Sequence, residues 1–267
     1  MRIYLRNHPE AAPGGCPADD FQPYIDTFLL DASRCPLGAV LILPGGGYSH
    51  RAHHEGDPVA EKFNAMGYHA FVLQYRVAPY RYPAPQKDVV RAVKLILSHK
   101  QDWYLDKLAV LGFSAGGHLA ASSAMLADKI DAAENDKIDA VPAKVDAMIL
   151  CYPVIALTGR FGHLGSGYNL CGQDSAVELR RTLDMHEAVS ENTPPAFLWH
   201  TATDQTVDVA NSVEFAQKMW QCGNTCELHI FPKGPHGRGL GMGEHDLAQW
   251  PELAGNFLEL NAGFSRA

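Results

Sequence analysis

Residues 108–126 read LAVLGFSAGGHLAASSAML, with one serine held between glycines. An apolar run enters the turn Gly112-Phe113-Ser114-Ala115-Gly116-Gly117 and an alanine-rich run leaves it. Glycines punctuate strand–helix turns and serine is a common helix cap, so each residue alone has an ordinary explanation. Together they match the tight turn that lifts a nucleophilic hydroxyl off the end of a strand, beside the positive end of a helix. Gly112 and Gly116 occupy the two positions where a side chain would clash in such a turn. The chemistry predicted for Ser114 is nucleophilic attack on a carbonyl.

A serine hydroxyl is a poor nucleophile at neutral pH, so it needs a histidine base oriented by a carboxylate. The stretch FLWHTATDQTV places Asp204 shortly after an apolar run, and CELHIFPKGPHGRGL places His236 in a glycine- and proline-rich loop after the last such run. Asp208 is the competing acid and reads better as a helix cap. His200 and His229 lie within strand-like runs and read as structural, and His245 reads as a surface residue. An oxyanion needs backbone N–H groups aimed at one point. Gly45, Gly46 and Gly47 follow the apolar run AVLIL, and Ala115 follows the candidate nucleophile. The run His50, His53, His54 with Glu55 invites a metal reading, but its spacing matches no common ligand set, so no metal is expected.

These residues require elements to carry them. Short strands are expected near 2–6 and 24–31, with turn-rich PEAAPGGCPADD between them. AVLIL (39–43) reads as a strand buried on both faces. Residues 57–66 read as a helix with Asp57 as its cap and Pro58 at the first helical position. YHAFVLQYRV, AMILCYPV (147–154), PAFLWHTA (195–202) and CELHIF (226–231) supply further strands. Helices are expected across Val89–Leu97, after a loop punctuated by Pro83 and Pro85, and over VANSVEFAQKMWQ. GEHDLAQWPELAGNFLEL reads as a C-terminal helix that Pro251 must break or kink. Alternating strands and helices predict one α/β domain over 1–267, with a mostly parallel central sheet and helices on both faces. Residues 155–194 are too many for a plain loop. Their glycine-rich first half and helix-like second half predict a small cap inserted over the site.

Composition narrows the function classes. The net charge is 22 − 30 = −8 and no basic stripe occurs, which argues against nucleic acid as a partner. No apolar run is long enough to span a membrane, and MRIYLRNHPEAAPGG has no apolar core typical of a secretory leader. Six cysteines, at 16, 35, 151, 171, 222 and 226, match no common zinc pattern, and Cys151 reads as a buried thiol. A cytoplasmic location with reduced thiols is the resulting expectation.

With these residues in hand, the chain resembles the α/β-hydrolases along nearly its whole length. It is similar to the esterase/lipase branch that contains acetyl esterases and acetylxylan-type carbohydrate esterases. The resemblance rests on Pro44-Gly45-Gly46-Gly47-Tyr48, EGDPVAEKFNAMGYHAFVLQYRVAP, YPAPQKDVVRAV, LGFSAGGHLA, TPPAFLWHTATDQTV and PHGRGL. It implies Ser114 as nucleophile, His236 as base and Asp204 as the orienting acid. It also implies N–H groups of Gly46 and Ala115 as oxyanion donors, with Gly45 and Gly47 beside them. Many relatives carry histidine where this chain has Pro44, which points to the PGGGY subgroup rather than to the lipases. Relatives also often have proline where Asp208 stands. The activity implied is hydrolysis of short acyl esters, acetyl above all, on sugars or xylan fragments, without cofactor or metal. Tyr48, Tyr80, Tyr82 and Trp103 are candidate sugar-stacking faces, and equally ordinary packing residues. The rival readings are an amidase, formamidase or peptidase using the same triad, and a non-catalytic binding protein on the same fold. A homodimer is the default expectation from symmetry statistics alone.

Overall fold

Five apolar runs in this sequence become strands lying side by side. A computed structural model of the chain describes residues 1–6, 21–32 and 35–267. The predicted turn region at 9–20, including Cys16, lies outside the described residues. The strands are β1 (Arg2–Tyr4), β2 (Tyr24–Phe28), β3 (Leu37–Leu43), β4 (His69–Gln74), β5 (Leu105–Phe113), β6 (Ala147–Cys151), β7 (Ala196–Thr201) and β8 (Cys226–Phe231). They form one sheet in the order β1-β2-β4-β3-β5-β6-β7-β8. β1 and β2 are antiparallel additions at one edge, and every pair from β4 to β8 is parallel. β3, β6 and β7 are buried at every residue, as strands covered on both faces must be.

The helices are α1 (Asp57–Ala65), α2 (Ala84–Ser98), α3 (Ala115–Met125), α4 (Leu164–Cys171), α5 (Val177–Arg181), α6 (Ala210–Gln221) and α7 (Trp250–Ala262). Strand side chains alternate between two cores. Leu41 and Leu43 pack with Val93 of α2, Leu119 of α3 and Phe215 of α6. Val40 and Ile42 pack with Phe63 of α1 and with Trp250 and Phe257 of α7. α3 has no solvent face over most of its length, which its run of alanine, glycine and serine allows.

Register brings the working ends together. Leu43 pairs with Gly112, Phe113 with Cys151, Cys151 with Trp199, and Thr201 with Phe231. The loops leaving β3, β5, β6, β7 and β8 therefore emerge at one edge, where ligands of parallel sheets bind.

Several boundaries differ from the expectations, each for a local reason. Pro251 neither breaks nor kinks α7. It sits in the first turn, where its missing N–H has no partner to lose, and residues 247–249 form a separate 3₁₀ turn. Pro85 likewise lies in the first turn of α2 instead of in the preceding loop. Gly56, not Asp57, is the N-cap of α1, and no side chain caps it. Glycine-rich 164–171 forms α4, which its composition concealed. His163 starts it by accepting the Ser166 N–H at its own Nδ1. The region 175–189, read as one helix, divides into α5 and a 3₁₀ turn at Met185–Ala188. Among the described residues, no helix is long and apolar enough to cross a membrane.

Candidate active site

Ser114 caps α3 with φ 50° and ψ −120°, a conformation that costs an ordinary residue about 1–3 kcal/mol. Its surroundings impose it. A Cβ on Gly112 would lie 2.1 Å from the Gly116 carbonyl oxygen, and one on Gly116 would lie 2.1 Å from the Leu43 oxygen. Only glycine lets the turn close this tightly. The Ser114 N–H donates to the Cys151 carbonyl at 3.0 Å, and the Ser114 carbonyl accepts from Val154 N–H at 2.9 Å. The end of β6 and the loop after it thus grip the serine backbone, and the side chain is left at the carboxyl edge of the sheet.

His236 and Asp204 meet Ser114 across long sequence separations. His236 Nε2 is 2.8 Å from Ser114 Oγ, and His236 Nδ1 is 2.7 Å from Asp204 Oδ2. Ser114 and Asp204 are nearly buried. Burial pushes the Asp204 carboxyl up, but hydrogen bonds from His200, His236 and the Val207 N–H outweigh it and hold the group well below the usual carboxylate range. The other Asp204 oxygen accepts from Thr206 and Val207 N–H groups at 2.8 and 3.0 Å. The acid therefore stays ionised, and it fixes the imidazole orientation in which Nε2 faces the serine.

The glycine loop after β3 is held by a buried acid. Glu55 Oε2 accepts the Gly45 N–H at 2.7 Å, and its Oε1 accepts the Tyr152 hydroxyl at 2.6 Å. The Tyr152 oxygen in turn accepts the Gly239 N–H at 2.8 Å, in the loop that carries His236. The Tyr152 ring also lies edge-on to the His236 ring, with centroids 5.0 Å apart. One carboxylate and one phenol thus tie together the loops after β3, β6 and β8. From the other side, Tyr75 hydroxyl donates to the Pro44 carbonyl at 2.5 Å, and Asn169 Nδ2 donates to the Gly47 carbonyl at 2.8 Å. Buried His118 accepts a hydrogen bond from the Tyr48 hydroxyl at Nδ1 (2.8 Å) and donates from Nε2 to the Leu183 carbonyl (2.7 Å). Burial pushes this histidine down to about 4. Since the Gly45 N–H is committed to Glu55, it is not free to meet a substrate oxygen.

The remaining sequence candidates are placed as follows. Asp208 is not the N-cap of α6, which is Val209; it stands one residue earlier, and its carboxylate accepts the Ala210 N–H at 2.9 Å. His200 is fully buried between Ser212 Oγ and the Val207 carbonyl, His229 pairs with Glu227, and His245 is exposed. His50 and His54 line the catalytic cavity together with Ser114, His163 and His236. His54 Nε2 is 2.9 Å from the Gly237 carbonyl. Among the described residues, no group of three or more His, Cys, Asp or Glu side chains is placed to hold a metal. Tyr48 and Tyr80 are buried, and Trp103 stacks on His99 at 4.5 Å and packs on Phe71, so these aromatics serve the core. Cys151 is buried, and burial raises its thiol well above the usual value. Sequence reasoning missed Glu55, Tyr152 and His118 as parts of the site. The one available signal was Glu55 itself, a charged residue between two apolar elements.

An eight-stranded, mostly parallel sheet with helices on both faces and a serine elbow after the fifth strand is the α/β-hydrolase architecture. The chain belongs to the BD-FAE family, whose model matches residues 25–219. It is 35% identical over 204 residues to endo-1,4-beta-xylanase B of Butyrivibrio fibrisolvens, a match covering 74% of this chain and 32% of that protein. It is 30% identical over 232 residues to the acetylxylan esterase of Xylanibacter ruminicola, covering 84% of this chain and 46% of that protein. The chain thus spans about a third to a half of the length of these curated relatives. The crystal structure of the acetyl ester-xyloside bifunctional hydrolase from Caldicellulosiruptor lactoaceticus matches with a TM-score of 0.91 and 40% identity, covering 98% of this chain and 97% of that one.

Proposed function

We propose that the protein is a serine esterase that removes short acyl groups, acetyl above all, from sugars or xylan fragments. The observation that carries the chemistry is the continuous chain Ser114 Oγ–His236–Asp204, with links of 2.8 and 2.7 Å. In this reading Ser114 Oγ attacks the ester carbonyl carbon while His236 Nε2 takes the hydroxyl proton. The carbonyl oxygen becomes an oxyanion against the N–H groups of Gly46 and Ala115, with Gly47 beside them. Collapse of the tetrahedral intermediate breaks the ester C–O bond, and His236 returns the proton to the leaving alcohol. Water, deprotonated by the same imidazole, then releases the acid and restores Ser114. No step requires a metal or cofactor. We read residues 155–194 as a small fixed cap over the site of a single domain.

The acyl and sugar assignments rest on two supports. The relatives are named for acetylxylan and for acetyl ester-xyloside hydrolysis. The cavity in front of Ser114 encloses about 420 Å³ and is walled by small residues, Gly46, Gly47, Ala52, Gly165 and Gly237, among histidines. A space of this size beside Ser114 Oγ and His236 leaves room for a short acyl group and part of its alcohol.

The test is hydrolysis of p-nitrophenyl acetate, butyrate and octanoate and of acetylated xylotriose by wild type and Ser114→Ala, with p-nitroacetanilide as the amide control. Activity that falls from acetate to octanoate, releases acetate from the sugar and vanishes in the variant is expected. Wild type that cleaves the amide but none of the esters would overturn the esterase reading.

A further inference from the structure

We propose that the cleft lined by Arg160, Phe161, His163, Gln205, Thr206 and Asp208 is the subsite for the carbohydrate leaving group, a neutral polyhydroxylated ring. The proposal rests on the esterase reading above and deepens it. This cleft encloses about 410 Å³ and is distinct from the catalytic cavity. The two share a wall, because His163 and Thr206 line both. Asp204 also borders the cleft, and Asp204 Oδ2 supports His236 from the side opposite Ser114. In serine acyl transfer the histidine delivers its proton to the departing alcohol, so the alcohol leaves on the histidine side of the serine. The cleft lies on that side, across His163 and Thr206 from the cavity that holds Ser114, where an alcohol too large for that cavity can extend.

The chemistry of the walls selects the ligand. The lining is nearly all polar and carries one guanidinium, Arg160, against two carboxylates, Asp204 and Asp208, so it disfavours an anion and offers a neutral ligand both donors and acceptors. A sugar ring offers hydroxyls to both, and Gln205 can donate and accept at once. Phe161, whose ring packs against His186, adds little apolar surface, so recognition here rests on hydrogen bonding. His163 Nδ1 accepts the Ser166 N–H, so its Nε2 carries the hydrogen and is a donor on the shared wall. Burial, with the neighbouring His236 adding to it, lowers the His163 imidazole below its ordinary value, in keeping with a neutral ring.

The cleft is prebuilt. Buried Asn211 donates to the Phe161 carbonyl at 2.8 Å and accepts from Ile155 and Ala156 N–H groups. Buried Asp184 accepts from the Leu157 and Thr158 N–H groups, and His163 N–H donates to the Ala156 carbonyl. A Cβ on Gly162 would lie 2.2 Å from the Thr158 oxygen, so the segment 158–163 closes on itself as only glycine permits. Walls fixed in advance lower the ordering cost of binding.

The experiment compares kcat/KM on monoacetylated xylotriose with kcat/KM on p-nitrophenyl acetate, whose leaving group is too small to span the cleft. Arg160 and Gln205 are exposed, so Arg160→Ala, Gln205→Ala and their combination remove side chains without emptying the core. The sugar-to-aryl ratio is expected to fall about fivefold in each single variant and more in the double, mainly through KM, as loss of one or two hydrogen bonds predicts. Lys100→Ala, at the amino ends of the strands, serves as the distal control and holds the wild-type ratio. Variants that keep the wild-type ratio, in a wild type active on both substrates, overturn the subsite and leave the esterase reading standing. A wild type active on the aryl acetate but inert toward the acetylated sugar overturns the sugar reading and the subsite with it.

Discussion

The triad and the brace beneath it are both polar, and they are built to opposite rules. Ser114, His236 and Asp204 meet through their side-chain tips at the end of the sheet, and His236 Nε2 and Ser114 Oγ face a cavity. Glu55, Tyr152 and His118 are sealed beneath, with each polar atom committed to a backbone group or to another sealed side chain. A group that must form and break hydrogen bonds during turnover has to keep access to substrate. A group that must never move can use all its bonds on the protein. Changes to the first set should therefore show in rate with little change in stability, and changes to the second should show in both.

The largest expected effect is on the triad. Ser114→Ala should reduce ester turnover by about 10⁶-fold, some 8 kcal/mol of barrier, while the thermal midpoint stays within a degree or two of wild type. A variant that loses both activity and midpoint would blur the division. Next comes the brace. Glu55→Ala leaves the Gly45 N–H and the Tyr152 hydroxyl without their buried acceptor, at about 1–3 kcal/mol each. Urea denaturation should record a loss of several kcal/mol, and turnover should fall with it. Glu55→Gln, which keeps one acceptor oxygen, should recover much of both.

His118 sharpens the comparison through pH. Its folded-state value of about 4 lies below the ordinary 6.5. The unfolded chain therefore takes up a proton first as pH falls. The stability tied to a neutral His118 is intact above pH 6.5, drains between 6.5 and 4, and totals on the order of 3 kcal/mol. The stability difference between pH 7 and pH 5 should shrink by about 2 kcal/mol in His118→Gln, read from urea curves at the two values. Asp204 shifts the other kind of group: a carboxyl held low keeps its contribution above the ordinary carboxylate value and loses it only in stronger acid, outside that window. The smallest effect is expected from Tyr152→Phe. It removes one donor to Glu55 and one acceptor for Gly239 N–H and keeps the ring against His236. A loss of about 1–3 kcal/mol of stability, with kcat lowered more than KM is raised, would mark it as a positioning residue.

The same division governs what could be read from the chain alone. Ser114, Asp204 and His236 were legible because each follows an apolar run and sits among glycines or prolines, a pattern local to about ten residues. Gly45, Gly46 and Gly47 stood out for the same reason, but not that the Gly45 N–H is already spent on Glu55. Glu55 was visible only as a member of a histidine-rich run, where it suggested a metal. Its role exists because strand order puts β3 beside β5 and β5 beside β6, which brings residues 45, 55, 152 and 239 together. Neither periodicity nor spacing encodes that order. The segment 155–194 was legible in its length and in the helix-like half that holds α5, and not in α4, which forms from glycine-rich sequence through packing. Gly167 there fits against Leu157 and Arg180, where a larger residue would press on both.

Beneath His236, Trp199 and Trp250 stack with ring centroids 5.7 Å apart at 22°, and Tyr152 meets Trp199 edge-on at 4.8 Å. Trp250 Nε1 donates to the Gly239 carbonyl, three residues beyond the base. Two indoles held this close and this rigidly are coupled chromophores, so the protein should show a strong near-ultraviolet circular dichroism signal arising from this stack. That signal is an optical gauge of the loop carrying the base, readable without substrate, label or turnover.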